Sequence, residues 1–325
     1  MRDGVGASCV ALPQGPWSEV ADFLAERLPA VTRLQWRERM ASGQVLAEDG
    51  QALAPDAPYI AQSRVYYYRE LAYEPGIPFE ARILFQDEHL LVVDKPHFLP
   101  VTPGGRFVQE TLLVRLKRQL GIESLSPIHR LDRETAGLVL FSIRPQDRGA
   151  YQAMFRQQNV FKEYQAIAPW NPKLALPLEY RSRLQVADEF FRQQEVSGSP
   201  NSATRIELLE LAAPLARYRL LPRSGRLHQL RVHMNALGIP IVGDRFYPTV
   251  THPAAGPAAE DYSNPLQLLA RALDFIDPVT GAQRKFESER QLGLPSPTSA
   301  KTVNGHELRP DSPAWPLPAN HGYRP

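Results

Sequence analysis

The segment IHRLDRETAGLVLFS, residues 128–142, sets His129, Arg130, Asp132 and Arg133 in a polar stretch that runs straight into an apolar strand. Burying that strand would fix the carboxylate at its mouth, as a catalytic acid, base or nucleophile requires. Taken alone, such an aspartate is more often a turn or salt-bridge residue. A second basic stretch shifts the balance. In RSGRLHQLRVHMNALGIPIVGDRFY, residues 223–247, alternation places Leu230 and Val232 on one side of a strand, with His228, Gln229, Arg231 and His233 partly in register with a polar site. Arg231 in reach of Asp132 would keep the carboxylate charged and aimed, because a nearby cation favours the anion.

Other chemistries find less support. His129, Asp132, His228 and His233 suggest a metal-dependent hydrolase, but their spacing forms no HExxH pattern or cysteine pair, and no third acidic ligand emerges. No GxGxxG and no GxxxxGK[ST] run occurs, which weakens dinucleotide and nucleoside-triphosphate readings. Neither a metal nor a cofactor is expected. The 325 residues are 43% apolar and 22% charged, ordinary for a globular chain. The single cysteine, Cys9, has no partner for an internal bridge. No run approaches the roughly 18–20 consecutive apolar residues of a membrane span. The opening MRDGVGASCV lacks the basic flank and long apolar core of a signal peptide, so a cytoplasmic protein with no membrane contact is expected. A net charge of +2 identifies no partner, but Arg217, Arg219, Arg223, Arg226, Arg231 and Arg245 stand against the single acid Asp244 in their stretch. They form either a phosphate-facing surface or a plain solvated face.

Elements that could position these groups follow from periodicity. Residues 1–15 read as a flexible N-terminus, 16–70 as a small unit, 71–81 as a linker, 82–290 as the main domain and 291–325 as a Pro- and Ser-rich extension. In the small unit, WSEVADFLAERLP places Val20, Phe23, Leu24 and Leu28 on one helical face, with Ser18 as cap. A second helix begins at Thr32 and presents Leu34, Trp36 and Met40, and Asp49-Gly50 suits a turn between short strands. That order resembles an S4-type RNA-binding domain, in which Arg33, Arg37 and Arg39 would contact phosphate. The main domain opens with strands at 82–86 and 90–93, a helix at 109–120, a strand at 137–142 and a helix over RGAYQAMFRQQNV. EYQAIA, TRIELLEL, ARYRLLP and HQLRVH read as further strands, and FIDPVTGAQRKFE as two edge strands. Many strands with few helices, without regular strand-helix alternation, predict an α+β fold: a mixed, mainly antiparallel sheet domain preceded by a small α/β unit.

Four motifs, in order, give the chain a resemblance to the RluA-type pseudouridine synthases over roughly residues 80–290. ILFQDEHLLVVDKP resembles that family's early strand pair, ending in Lys95 and Pro96. HRLDRETAG resembles its catalytic motif and carries the essential aspartate onto Asp132. FKEY resembles the segment holding the active-site tyrosine, here Tyr164, and SGRLHQLRVHMNALGIPIVGDRFY the C-terminal motif, with the arginine at Arg231 followed by Gly243, Asp244 and Tyr247. The chain departs from the pattern at Leu227 for threonine, Ala136 for serine, and Leu269 for histidine in LQLLA. These departures spare Asp132, Tyr164 and Arg231, so they bear on substrate detail.

The resemblance implies cofactor-free isomerisation of uridine in structured RNA, rRNA or tRNA, and a monomer is the simplest expectation. Asp132 would either attack the anomeric carbon or take a proton from the ribose 2′ position. The target nucleotide must first leave its stack, at a cost on the order of a few kcal/mol. Tyr164 would lie against the extracted ring and offer a hydroxyl near C5. Arg130 and Arg133 would fill the vacated space or grip phosphates, while Lys95, Arg223, Arg226 and His228 would line the RNA surface. The rival reading is a non-catalytic RNA-binding protein that keeps the synthase fold.

Overall fold

The computed structural model describes residues 4–69, 71, 73–188, 192–251 and 261–294. The expected C-terminal extension from residue 295 onward, and residues 252–260, lie outside the described residues. The chain divides into two compact units, one comprising Met1–Glu74 with Thr102–Glu123, the other Pro75–Val101 with Ser124–Pro325.

The first unit holds β1 (Ser8–Ala11), α1 (Val20–Arg27), α2 (Arg33–Ala41), β2 (Val45–Leu46), β3 (Arg64–Tyr67) and α3 (Leu112–Leu120). Residues 8–11, expected in a flexible N-terminus, are instead strand β1, because Val10 pairs with Val65 of β3 and packs on an apolar cluster that includes Leu12, Phe23, Leu24 and Trp36. The N-cap of α1 is Glu19, one residue beyond the expected Ser18. Thr32 opens α2 with a capping box: its hydroxyl accepts from Gln35 N, and Gln35 Oε1 accepts from Thr32 N at 2.9 Å. Trp36 and Met40, four apart, turn inward, which leaves Leu34 68% exposed instead of buried. Residues 102–123 group with this unit because Glu74 accepts N–H bonds from Val108, Gln109 and Glu110, just ahead of α3, and Val114 packs with Val5 and Val108.

The second unit is built on β4 (Arg82–Gln86), β5 (Leu90–Lys95), β6 (Ser126–Pro127), β7 (Ala136–Ser142), α4 (Arg148–Arg156), β8 (Val160–Pro169), β9 (Leu178–Val186), β10 (Gln193–Val196), β11 (Ser202–Ala212), β12 (Leu215–Pro222), α5 (Gln229–Ala236), β13 (Leu268–Ile276) and β14 (Gln283–Glu287). Among the described residues they form one sheet in the order β10-β9-β11-β12-β8-β13-β7-β5-β4, with β14 on β13 and β6 on β7. Among the described residues only β13 and β7 pair in parallel, so the fold is α+β with a mixed, mostly antiparallel sheet. Every residue of β5 and β7 is buried, as the apolar runs Leu90–Val93 and Ala136–Phe141 require. Gly137, at φ 111°, lets β13 approach β7: a Cβ there would strike the carbonyl of Ala270.

Two expectations are corrected here. β13 is an interior strand, flanked by β7, β8 and β14, because Leu268, Leu269, Ala270, Leu273 and Phe275 are all buried. HQLRVH is the start of helix α5. Leu230, Met234 and Leu237 recur at helical spacing and pack on the cluster formed by β8, β11 and β12, and Gly238 follows at φ 73°. As a strand the segment would separate His228 from Arg231; as a helix start it brings them to one side, three residues apart.

Candidate active site

The loop that carries Asp132 is pinned from both ends. Ile128 N donates to Leu140 O at 2.9 Å, and His129 Nε2 accepts from Leu140 N at 3.2 Å while its ring stacks on Phe155. Beyond the aspartate, Thr135 N closes a turn onto Asp132 O at 3.1 Å. Lys95, expected at the RNA surface, is instead fully buried: its ammonium donates to the carbonyls of Pro96, Leu99 and Arg133 at 2.9, 2.9 and 3.1 Å. With three donors matched to three carbonyls, Lys95 ties the end of β5 to the residue after Asp132. Burial pulls its pKa down to about 7, against the opposing pull of Glu134 and Asp132.

Arg231 enters from α5 and is 1% exposed. Its Nε and Nη2 form a two-pronged contact with Asp244 at 2.8 and 2.7 Å, and Nη1 donates to Asp132 Oδ2 at 3.3 Å. One planar guanidinium thus joins the two carboxylates, a geometry that a lysine could not reproduce. Burial works against its charge, but the hydrogen bonds and charge of Asp244, and then Asp132, outweigh it and leave the pKa raised. Asp244 is itself fixed by N–H bonds from Phe246 and Tyr247 at 2.8 and 3.1 Å. It follows Gly243, whose φ of 77° and contact with the Pro265 carbonyl leave no room for a Cβ. The aromatic rings of Phe246 and Tyr247 lie 4.9 and 5.5 Å from the Arg231 guanidinium carbon.

Tyr164 stands on β8, in register with Leu220 of β12 and Ala270 of β13, and packs on the same apolar cluster as α5. Burial, and then the negative charge of Asp132, raise the pKa of its phenol, so the group keeps its proton at neutral pH. It can offer a ring face and an O–H donor, but it is not a phenolate base.

The remaining expected residues divide. His228, read as part of the RNA surface, is instead buried with its Nε2 3.7 Å from Asp132 Oδ2. Arg130, Arg223 and Arg226 are exposed, the last two on the loop leading into α5. Arg133 turns toward the protein, donating to Phe98 O at 3.0 Å. In the first unit, Arg33 is held by Asp22 and Glu19, and Arg37 by Glu19. The histidines of the metal reading do not converge: His129 binds the β7 backbone, and His233 binds the hydroxyls of Thr204, Ser182 and Ser202. Missed from the sequence was the Lys162 ammonium, which donates to Ser224 O at 3.1 Å and steadies the Arg223–Arg226 loop. Its two-residue spacing from Tyr164 on one strand face was the available signal.

Burial holds three imidazoles neutral, pulling His97 down to about 4, His129 to about 3 and His233 to about 4 from an ordinary 6.5. Between pH 6.5 and 4 the unfolded chain takes up protons that the folded chain refuses. The associated stability is complete above 6.5 and drains away as pH falls through the folded values. At about 1.4 kcal/mol per pKa unit, His233 alone accounts for on the order of 3 kcal/mol by pH 4. Urea midpoints are expected to drop steadily from pH 7 to 4.5, and a flat profile would contradict buried neutral imidazoles.

Comparison with known proteins agrees with this architecture. Residues 89–236 match the model of the RNA pseudouridylate synthase family. An uncharacterised RNA pseudouridine synthase of Synechocystis sp. is 33% identical over 233 residues, 70% of this chain and 78% of that protein. The dual-specificity RNA pseudouridine synthase RluA of Haemophilus influenzae is 32% identical over 67% of this chain and 97% of its own length. The structure of human RNA pseudouridylate synthase domain containing 1 shares the fold, with a TM-score of 0.53 at 23% identity, covering 67% of this chain and 86% of that one. The four motifs therefore sit in a fold and a sequence that agree, and the chain belongs to the RluA-type RNA pseudouridine synthases, isomerising uridine to pseudouridine within RNA.

Proposed function

We propose that Asp132 is the catalytic carboxylate of this reaction, that Arg231 aims it and Tyr164 faces the uracil, and that the substrates are uridines in rRNA or tRNA. The observation that carries this is the contact of one buried guanidinium with both Asp132 and the anchored Asp244. The reaction breaks the N1–C1′ bond, rotates the base, forms the C5–C1′ bond, releases the C5 proton and leaves N1 to take up a proton from solvent, with no change of oxidation state. Asp132 serves either as nucleophile at C1′ or as base at C2′, and both uses need a carboxylate oxygen directed at the sugar. Oδ2 is occupied by Arg231, while Oδ1 makes no hydrogen bond among the described residues. Exposed Arg130, Arg223 and Arg226 suit contacts to the RNA backbone, which makes association salt-sensitive. The dual-specificity name of several relatives favours looking at both RNA classes.

The test is to map pseudouridines in the rRNA and tRNA of cells lacking this protein and of cells given it back. Particular sites should vanish and return, and an unchanged map would overturn the substrate assignment. Tyr164→Phe keeps the ring and removes the O–H. It is expected to lower kcat about 100-fold while RNA binding holds, as measured by tritium release from 5-tritiated uridine in RNA. Full activity in that variant would leave the tyrosine with a packing role only.

A further inference from the structure

We propose that His228 is a second positioning residue for Asp132, flanking Oδ2 together with Arg231 so that Oδ1 is presented to the sugar. This rests on Asp132 being the catalytic carboxylate. His228 is buried, and its ring lies parallel to Phe246 at 5.6 Å, which sets its plane. Its Nδ1 is 3.1 Å from the hydroxyl of Tyr247, an oxygen that also receives Gln193 N–H at 2.8 Å. Its Nε2 faces Asp132 Oδ2 at 3.7 Å. A bare ring nitrogen beside a carboxylate would be repelled, so Asp132 selects the tautomer with Nε2–H directed at it, and the Tyr247 O–H, which also has Gln193 O in reach at 3.2 Å, then turns to donate to Nδ1. Burial, the largest influence, lowers the imidazole pKa, which favours the neutral ring, and Arg231 is then the only full cation in contact with the aspartate among the described residues.

The backbone supports a role beyond packing. His228 sits at φ 52°, ψ 14°, a left-handed conformation unfavourable for a residue with a Cβ, immediately before α5. Strain of this kind persists where the surroundings over-determine it, and here it lets one side chain reach Asp132 from the turn that leads into the helix bearing Arg231. The 3.7 Å separation exceeds a hydrogen bond. Catalytic contacts that are long in a free enzyme tighten when substrate is bound, so the effect on turnover is moderate.

The experiment compares His228→Asn, His228→Phe and His228→Gln in the full chain. It uses tritium release from 5-tritiated uridine in total RNA taken from cells lacking the protein. Asparagine tolerates the left-handed backbone but is too short to reach Asp132, phenylalanine keeps the stack without the N–H, and glutamine restores an N–H at the right reach. Expected are a kcat about 10- to 100-fold lower for Asn and Phe with KM little changed, and substantial recovery in Gln. Asp132→Asn is run alongside. If that variant is inactive while His228→Asn keeps its kcat, the positioning role alone fails. If Asp132→Asn stays active, the reading of the aspartate fails with it. A rise in KM with kcat unchanged would overturn the proposal in favour of an RNA-contact role, and equal losses in Asn and Gln would overturn it in favour of packing. Should the Phe variant not fold, the Asn and Gln pair decides.

Discussion

Asp132→Asn is expected to cut pseudouridine formation by about 10,000-fold or more while leaving the fold and RNA association largely intact. The amide has the shape of the carboxylate and can still present an oxygen to Arg231 Nη1, and the turn closed by Thr135 N onto Asp132 O uses only the backbone. Arg231 keeps both hydrogen bonds to Asp244, so no buried charge is left unpaired. What is lost is chemical: an amide neither takes up a ribose proton nor attacks the anomeric carbon at a useful rate. Tritium release and gel-shift titration on the same RNA separate turnover from binding. A variant that turns over at the wild-type rate would remove Asp132 from the reaction, and loss of both activities together would point to a broken surface instead.

The sequence spoke most clearly where one residue type admits few environments. The apolar runs Leu90–Val93 of β5 and Ala136–Phe141 of β7 are best satisfied by strands covered on both faces, and they fix where Asp132 must emerge. Arg231 and Asp132 could be read as a pair because a cation in reach favours the charged carboxylate and because each falls in a motif of the resemblance, while the burial of the guanidinium came only from the structure. Less was legible where backbone atoms supply the partners. Nothing in residues 96–99 announces carbonyls arranged for an ammonium, so Lys95 looked like a surface cation. The α5 segment was hidden by Val232 and by short-range alternation, although Leu230, Met234 and Leu237 recorded the helical period. The grouping of α3 with the N-terminal unit depends on Glu74, a carboxylate more than thirty residues away from the amides it holds. Two departures from the family pattern meet in the structure. Ala136 and Leu269 are register partners between β7 and β13 in one buried apolar cluster, so neither side chain faces an unmatched polar group across the pair.

Arg231→Met is the substitution expected to damage stability and catalysis together. Asp244 is buried to the same degree as the guanidinium, with side-chain exposures of 1% each, so removing the cation leaves an anion with only the N–H bonds of Phe246 and Tyr247. Breaking such a pair from one side costs about 3–5 kcal/mol. Asp132 loses its hydrogen bond from Nη1 at the same time, so turnover in the surviving folded fraction should fall by at least about 100-fold. Adding Asp244→Asn to Arg231→Met removes the stranded charge, and the double variant should recover part of the stability but none of the turnover, since Asp132 remains unaimed. Urea unfolding of the four proteins of this cycle, with tritium release measured where each is folded, keeps the two effects apart. An Arg231→Met protein within about 1 kcal/mol of wild type would show that the buried pair contributes no more than a surface one. Recovery of turnover in the double variant would show that the guanidinium serves Asp244 alone, and that something else directs the carboxylate at the sugar.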